Sequence, residues 1–355
     1  MADRLIALLA TIADPVSGKP LPESGRLEGV SERDGTATVV LKVPQGGDDG
    51  PLKKTIEKTL KSDKAVKRVR LITTMERAQK PEAPKRPVAP PQGKRPAKRI
   101  IAVAAGKGGV GKSTVTANLA AAYAKQGLKV GVLDADVYGP SIPRLLGLRD
   151  VPGLQKNEAG IQPAEAHGIK VVSMGFLTKP GAAVVWRGPM VQGAITQFLN
   201  ETVWDEPDVL LIDMPPGTGD AQLAIAQTAA VDGAVIAVTP QDLALDDAKK
   251  AMAMFQQTHT PILGLIENMS VFLCPHCGEP SEIFGHGGAR AEAEAMGVPF
   301  LGEIPLHIEL RKRSDEGRPV AFDDGPVAKA FERLADSVLA ACDEARKPLP
   351  EIVFS

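Results

Sequence analysis

From residue 99 onward the chain alternates between two hydrophobic patterns. Short runs that are apolar at nearly every position, "RIIAVAA", "KVGVLD", "DVLLID", "GAVIAVT" and "ILGLIE", are separated by stretches of helical character at 113–126, 189–202, 220–230 and 243–257. Strands that are apolar on both faces and alternate with helices predict a parallel sheet covered on each side, so the expected fold is doubly wound α/β. A final helix is expected over "VAKAFERLADSVLAACDEA". The first 78 residues read differently. "RLIALLATIADP" predicts a helix ending near Asp14-Pro15, "TATVVLKVP" a strand, "LKKTIEKTLKS" a helix and "VKRVRLIT" a strand. They make a small α+β domain.

Between the two lies "KPEAPKRPVAPPQGKRPAKR", residues 80–99, with six prolines and seven Lys or Arg and almost no large apolar side chain. Such a segment cannot pack a core and reads as an extended cationic linker. The expected organisation is therefore a small domain at 1–78, a linker at 79–98, a large domain at 99–347 and a tail at 348–355. No internal repeat is visible.

Composition narrows the class. The 355 residues are 43% hydrophobic with a net charge of −1, as in a globular protein with a sizeable core. The near-neutral balance lends no support to a nucleic-acid partner. No run of 18 apolar residues occurs, and "MADRLIALLATIADPVSGK" has an acid where a secretory leader has cations. A cytoplasmic protein without a membrane partner is expected. Three cysteines are too few for a disulfide framework.

Gly106-Lys107-Gly108-Gly109-Val110-Gly111-Lys112-Ser113 fits the phosphate-loop pattern G-x-x-x-x-G-K-[ST], after a predicted strand and opening a predicted helix. Glycines let backbone N–H groups turn inward around phosphate oxygens, and the helix N-terminus adds its dipole. Lys112 would neutralise the outer phosphates, and Ser113 would ligate Mg²⁺. Two acidic segments end other predicted strands, where such a sheet binds its ligands. Asp213, in "VLLIDMPPGTGD", suits support of Mg²⁺. In "VLDADVYGPS", Asp136 is the candidate for orienting the attacking water and Asp134 supports the same loop. Turn-forming aspartates are the alternative.

Lys107 is surplus to an ordinary phosphate loop. A cation supplied by a second subunit can stabilise a transferring phosphoryl group as an arginine finger does, which suggests a dimer closed over nucleotide. A solvated loop lysine is the other reading.

Cys274-Pro275-His276-Cys277 supplies two thiols a few ångströms apart. A four-iron cluster or a structural zinc takes four ligands, so one chain is two short. Two such pairs meeting at a dimer axis would complete a four-cysteine site. A shared zinc and a redox dithiol remain open, although "GEPSEIFG" after the motif is turn-like, unlike the helix that follows a thioredoxin-type pair. His276 reads as a solvated loop residue and Cys342 as a small packing residue.

"KGGVGKST" resembles the deviant phosphate loop of dimeric ATPases related to the Min and Par proteins, the nitrogenase iron protein and the tail-anchored-protein targeting ATPase. More narrowly, "DADVYGPSIPRLLG", "WRGPM", "DMPPGTGD", "ENMSVFLCPHCG" and "IFGHGGA" resemble, in order, the Mrp/ApbC-type iron–sulfur cluster carrier ATPases, and "LGEIPL" with "SDEGRPV" extends the likeness to about 320. Residues 1–78, with "ADPVSGKPL", look like the small domain of cytosolic iron–sulfur assembly factors. The resemblance implies slow ATP hydrolysis, with Gly108 to Thr114 on phosphates and Mg²⁺ and Lys107 on the partner subunit's nucleotide. It places Asn268 on the base, whereas by residue type alone Asn268 could equally end a strand. It also implies a homodimer bridged by a [4Fe-4S] cluster on Cys274 and Cys277, delivered to apo iron–sulfur proteins and supplied by scaffold proteins.

Two other classes fit the same residues less well. A positioning ATPase acting as a binding platform would want a basic amphipathic end, and "CDEARKPLPEIVFS" mixes signs and contains two prolines. An electron-transferring reductase like the nitrogenase iron protein has widely separated cluster cysteines. The close pair here favours the carrier. The small domain has no cysteine, so it reads as a docking module.

Overall fold

The computed structural model describes residues 2–15, 17–33, 35–43, 50–63, 66–75, 95–177, 188–240, 245–285 and 287–347. They fall into two compact units, divided between Pro87 and Val88.

The small unit contains α1 (Ala2–Leu9), β1 (Leu27–Arg33), β2 (Thr36–Val43), α2 (Gly50–Lys61) and β3 (Arg68–Met75). Leu5 and Leu9 of α1, and Leu52, Ile56 and Leu60 of α2, recur every four residues and so share one face of each helix. They bury against Ala37, Val39 and Leu41, the alternate residues of β2. β2 is central, antiparallel to β1 and parallel to β3. Helix α1 stops at Leu9, earlier than the apolar pattern suggests. The chain then turns, and Asp14 takes the N–H of Ser17 at 2.8 Å and Arg26 Nη1 at 2.8 Å. β1 escapes the sequence reading because "LEGVSER" is mostly polar and its pairing shifts register between Leu27 and Gly29.

The large unit starts inside the expected linker, since Ala97 is buried and Lys98 reaches Asp208 at 2.7 Å. In chain order its first half runs β4 (Arg99–Ala104), α3 (Lys112–Lys125), β5 (Val130–Asp134), α4 (Ile142–Leu145), β6 (Gln155–Asn157), β7 (Gly160–Gln162), β8 (Ala164–Ala166), β9 (Ile169–Ser173) and α5 (Gly188–Glu201). The second half runs β10 (Val209–Asp213), α6 (Asp220–Thr228), β11 (Gly233–Val238), α7 (Leu245–Gln257), β12 (Ile262–Leu273), β13 (Pro280–Ser281), α8 (Gly288–Met296), β14 (Phe300–Leu306), α9 (Ile308–Glu316) and α10 (Pro326–Ala345).

Nine of these strands form one sheet in the order β13-β12-β11-β4-β10-β5-β9-β8, with β14 also on β12. Successive residues of β4 go to opposite cores: Ile101 and Val103 meet α3 and α10, while Ile100, Ala102 and Ala104 meet the layer of α5, α6 and α7. That double burial is why the strands are apolar throughout, each fully buried Val, Leu or Ile contributing roughly 1.5–3 kcal/mol. The strands β4, β5 and β10 are parallel neighbours, and Asp213 sits in register with both Val103 and Asp134. Their C-terminal ends therefore converge on the turn after β4. No described helix is long and apolar enough to cross a membrane.

Candidate functional site

β4 ends at Ala104 and the chain curls through residues 105–111 before α3 begins at Lys112. Two glycines are required by geometry. Gly111 has φ +83°, and a Cβ there would lie 2.3 Å from Asn268 Nδ2; at Gly106 a Cβ would lie 2.4 Å from the carbonyl oxygen of Asp247 on α7. No side chain caps the N-terminus of α3, so its first N–H groups are left for an anion.

Behind the loop lies Asp213, fully buried at the end of β10. One oxygen accepts the Ser113 hydroxyl at 2.6 Å and Lys112 Nζ at 2.8 Å, and the other accepts the Thr116 hydroxyl at 2.7 Å. Thr116 falls outside the phosphate-loop pattern itself. It lies one helical turn beyond Lys112 and Ser113, and that spacing on α3 is the signal that could have found it.

Asp134, fully buried at the end of β5, accepts the Ser173 hydroxyl at 3.0 Å and the N–H groups of Asp136 and Ile142, each at 3.2 Å. Burial, and then the neighbouring Asp213 carboxylate, push its pKa up to about 8, outweighing the opposite pull of Lys112 and these donors. Asp136 takes the N–H groups of Tyr138 and Gly139 on Oδ1, at 3.0 and 3.1 Å, which fixes its carboxyl in the turn. It lines a cavity of about 560 Å³ together with residues 107–114, Tyr138, Gly139, Ser141, Arg144, Leu145, Pro216, Ser314 and Asp315. The far wall is tied down by an Arg144–Asp315 pair at 2.8 Å. None of Tyr138, Arg144, Ser314 and Asp315 was expected from the sequence. Arg144, Ser314 and Asp315 come from helices that only the tertiary fold brings to the loop.

Asn268 lies within β12, since the strand runs on to Leu273 rather than ending before it. Its buried amide donates to the Val110 carbonyl at 2.8 Å, so this side chain braces the phosphate loop from beneath.

Cys274 follows β12 directly, and β12 and β13 form an antiparallel hairpin with Leu273 opposite Pro280. The Cys274 N–H donates to Glu279 at 3.0 Å, and the Gly278 N–H donates to Cys274 at 2.8 Å. The Cys274 sulfur accepts N–H groups from Cys277 and then His276, which hold its thiol below the ordinary range. Cys277 is exposed and Cys274 partly so. Among the described residues no group of three or more His, Cys, Asp or Glu could hold a metal ion, so the hairpin offers two sulfurs and no completing ligand. Cys342 is buried on α10, as expected. Trp186 and Arg187 of "WRGPM", His286 of "IFGHGGA" and the tail 348–355 lie outside the described residues.

The geometry has close counterparts in known proteins. The family model described as NUBPL iron-transfer P-loop NTPase matches residues 96–339. An iron–sulfur cluster carrier protein of Deinococcus radiodurans is 42% identical over 338 residues, 94% of each chain. One from Haemophilus influenzae is 50% identical over 243 residues, 68% of this chain and 66% of that protein, so that match spans just under two thirds of the relative. A nucleotide-binding protein of Archaeoglobus fulgidus, solved in complex with ADP, is 46% identical, with a TM-score of 0.59 over 66% of this chain and 92% of its own. Phosphate loop, buried strand-end carboxylates and cysteine hairpin stand together in a chain matched from 96 to 339, and the protein belongs to the Mrp/ApbC-type iron–sulfur cluster carrier family of P-loop NTPases.

Proposed function

We propose that this chain binds and hydrolyses ATP and, as a homodimer, carries a [4Fe-4S] cluster between two cysteine hairpins for delivery to apo-proteins. The observation that carries this reading is the Cys274–Cys277 hairpin: the Cys274 sulfur is preset by backbone N–H groups, yet each chain presents only half of a four-thiolate set. The names of the relatives support the cargo, and ADP in the Archaeoglobus structure supports the nucleotide. Scaffold proteins would load the cluster, and the small unit, without a cysteine, would dock partners.

The residues around Asp213 fit Mg²⁺, since a hydroxyl oxygen stands directly in front of a fully buried carboxylate. Ser113 would hold the ion with Asp213 behind it, and the ion would offset charge on the outer phosphates. Phosphates entering the loop meet the N–H groups of residues 108–114 and draw Lys112 from Asp213 onto their own oxygens. Asp136, pinned through Oδ1, orients the attacking water through Oδ2. The water oxygen bonds the γ-phosphorus and passes its proton to a γ-phosphate oxygen, the bond to the bridging oxygen breaks, and the electron pair stays on ADP, leaving inorganic phosphate. Lys107, exposed at the mouth of the cavity, reaches the γ-phosphate of the partner subunit. Asn268, beside Gly111, would turn its amide to the bound nucleotide's base.

Anaerobic reconstitution with iron and sulfide, followed by absorption spectroscopy and metal counting, tests this reading. About four irons per dimer, lost in Cys274→Ala/Cys277→Ala, are expected. Zinc alone, or no metal, overturns it.

A further inference from the structure

We propose that Glu267 and Asn268, neighbours on β12, are positioning residues that couple occupancy of the phosphate loop to the geometry of the Cys274–Cys277 hairpin. The inference deepens the carrier reading and rests on it for its purpose, but neither its geometry nor its test requires a bound metal.

Successive side chains of a strand point to opposite faces. Here they grip the phosphate loop and the start of α8, the helix that follows the cysteine hairpin. Asn268 donates to the Val110 carbonyl at 2.8 Å, and its amide fills the space that a side chain at Gly111 would need. Glu267, fully buried, accepts the N–H of Ala289 at 2.9 Å in the first turn of α8. The cysteine hairpin leaves from the end of β12 and the chain then returns into α8, so the whole segment is anchored on β12 at both ends. One end begins six residues beyond Asn268, at most about 20 Å of chain.

Between the anchors the strand is distorted. Met269 has φ +60°, a left-handed conformation that a side-chain-bearing residue adopts only when its surroundings impose it, and pairing with β14 shifts register between Asn268 and Phe272. One oxygen of Glu267 and the hydroxyl of Ser270 are buried without a hydrogen-bond partner. Unsatisfied polar atoms and a strained backbone, concentrated between two functional loops, are what a segment with a second arrangement would show. The peptide unit whose carbonyl, that of Val110, is held by Asn268 carries on its opposite side the N–H of Gly111, a donor for the phosphate cradle. A phosphate that draws on this peptide therefore pulls on Asn268, and the distorted strand passes the displacement to Cys274. In energetic terms, nucleotide favours one arrangement of β12 by its differential affinity.

The test uses the full-length, metal-free protein. Alkylation of Cys274 and Cys277 by iodoacetamide is followed by peptide mass spectrometry, with and without saturating Mg-ADP or a non-hydrolysable Mg-ATP analogue. Nucleotide affinity is measured alongside by calorimetry. The wild type should show at least a roughly fivefold change in Cys274 rate on binding. Asn268→Ala and Glu267→Gln, once saturated, should show a ratio near one, and Glu267→Gln should do so with unchanged nucleotide affinity. A merely structural role would alter both rates and leave their ratio intact. A nucleotide-independent rate in the wild type, or a wild-type ratio in either saturated variant, overturns the proposal. Should both variants fail to fold, hydrogen exchange of residues 270–282 in the wild type decides, since protection unchanged by nucleotide also overturns it. Iron uptake by the same wild type is scored separately: uptake with a flat ratio loses this inference alone, and coupling without uptake loses the carrier reading alone.

Discussion

Ser113 and Asp213 stand 100 residues apart in the chain, and their side chains meet at 2.6 Å. The contact exists because β10 lies beside β4, so the end of one strand faces the helix that the other feeds. The same carboxylate holds Lys112 at 2.8 Å. Nucleotide binding thus begins as a competition, in which phosphate must take the ammonium from a buried carboxylate that keeps the neighbouring hydroxyl.

The two lysines should separate in mutation. Lys112→Ala should weaken nucleotide binding and abolish hydrolysis, because its ammonium sits inside the loop. Lys107→Ala should bind nucleotide normally and lose turnover by about 10³ or more, the scale of a finger-type cation. Calorimetry and phosphate release separate the two, and normal hydrolysis by Lys107→Ala would refute a role across the dimer.

Asp134 gives a pH signature. Its folded pKa is raised to about 8 from the usual 3.8, so the folded state holds the proton more tightly than the unfolded chain. That contribution is complete below about pH 4 and is lost as pH rises through 8. The stability of the wild type relative to Asp134→Asn should therefore fall between about pH 4 and 8 and level off above that in urea titrations. A constant difference would mean that Asp134 is ionised throughout.

Glycine replacements should divide by location. Gly111→Ala places a methyl 2.3 Å from Asn268 Nδ2 at a left-handed backbone, and should cut nucleotide affinity by more than about tenfold, or about 1.4 kcal/mol. Gly193→Ala, on an exposed turn of α5 with nothing within 4 Å, should stabilise the fold by roughly 0.5–1 kcal/mol. Nucleotide titration and thermal unfolding of both variants check the pair.

Much of this site is legible in the sequence because it is local. A phosphate loop is eight consecutive residues, and Asp134, Asp213 and Cys274 each follow an apolar run that marks a strand end. What is not legible depends on contacts between distant segments. The seat of Asn268 on Val110 spans 158 residues, and the cavity wall at Asp315 belongs to a helix whose polar sequence shows no tie to phosphate. β9 and β14 are equally hard to read: "IKVVS" is short, and "FLGEIPL" carries a glycine, a glutamate and a proline, so neither stands out as an apolar run. Their place in the sheet comes from pairing with β5 and β12.

The thiols should titrate in an order that their surroundings set. Two backbone N–H groups hold Cys274 below the ordinary thiol range, while burial pushes Cys342 up to about 11. Iodoacetamide at pH 7 should label Cys274 far faster than Cys342, with the midpoint of the Cys274 rate profile below that of an unhindered thiol. A midpoint at or above pH 8.5 would show that the N–H groups do not act on the sulfur.

If two hairpins share one four-thiolate cargo as proposed, a hairpin that offers two sulfurs per chain, with no third ligand among the described residues, would make its retention a second-order event. Occupancy would then follow the square of the protein concentration at the dilute limit rather than the first power. Dilution alone would empty the carrier, and a recipient that separates the two chains would need no sulfur of its own stronger than theirs. The number of thiols on one hairpin would then act as a concentration threshold for delivery.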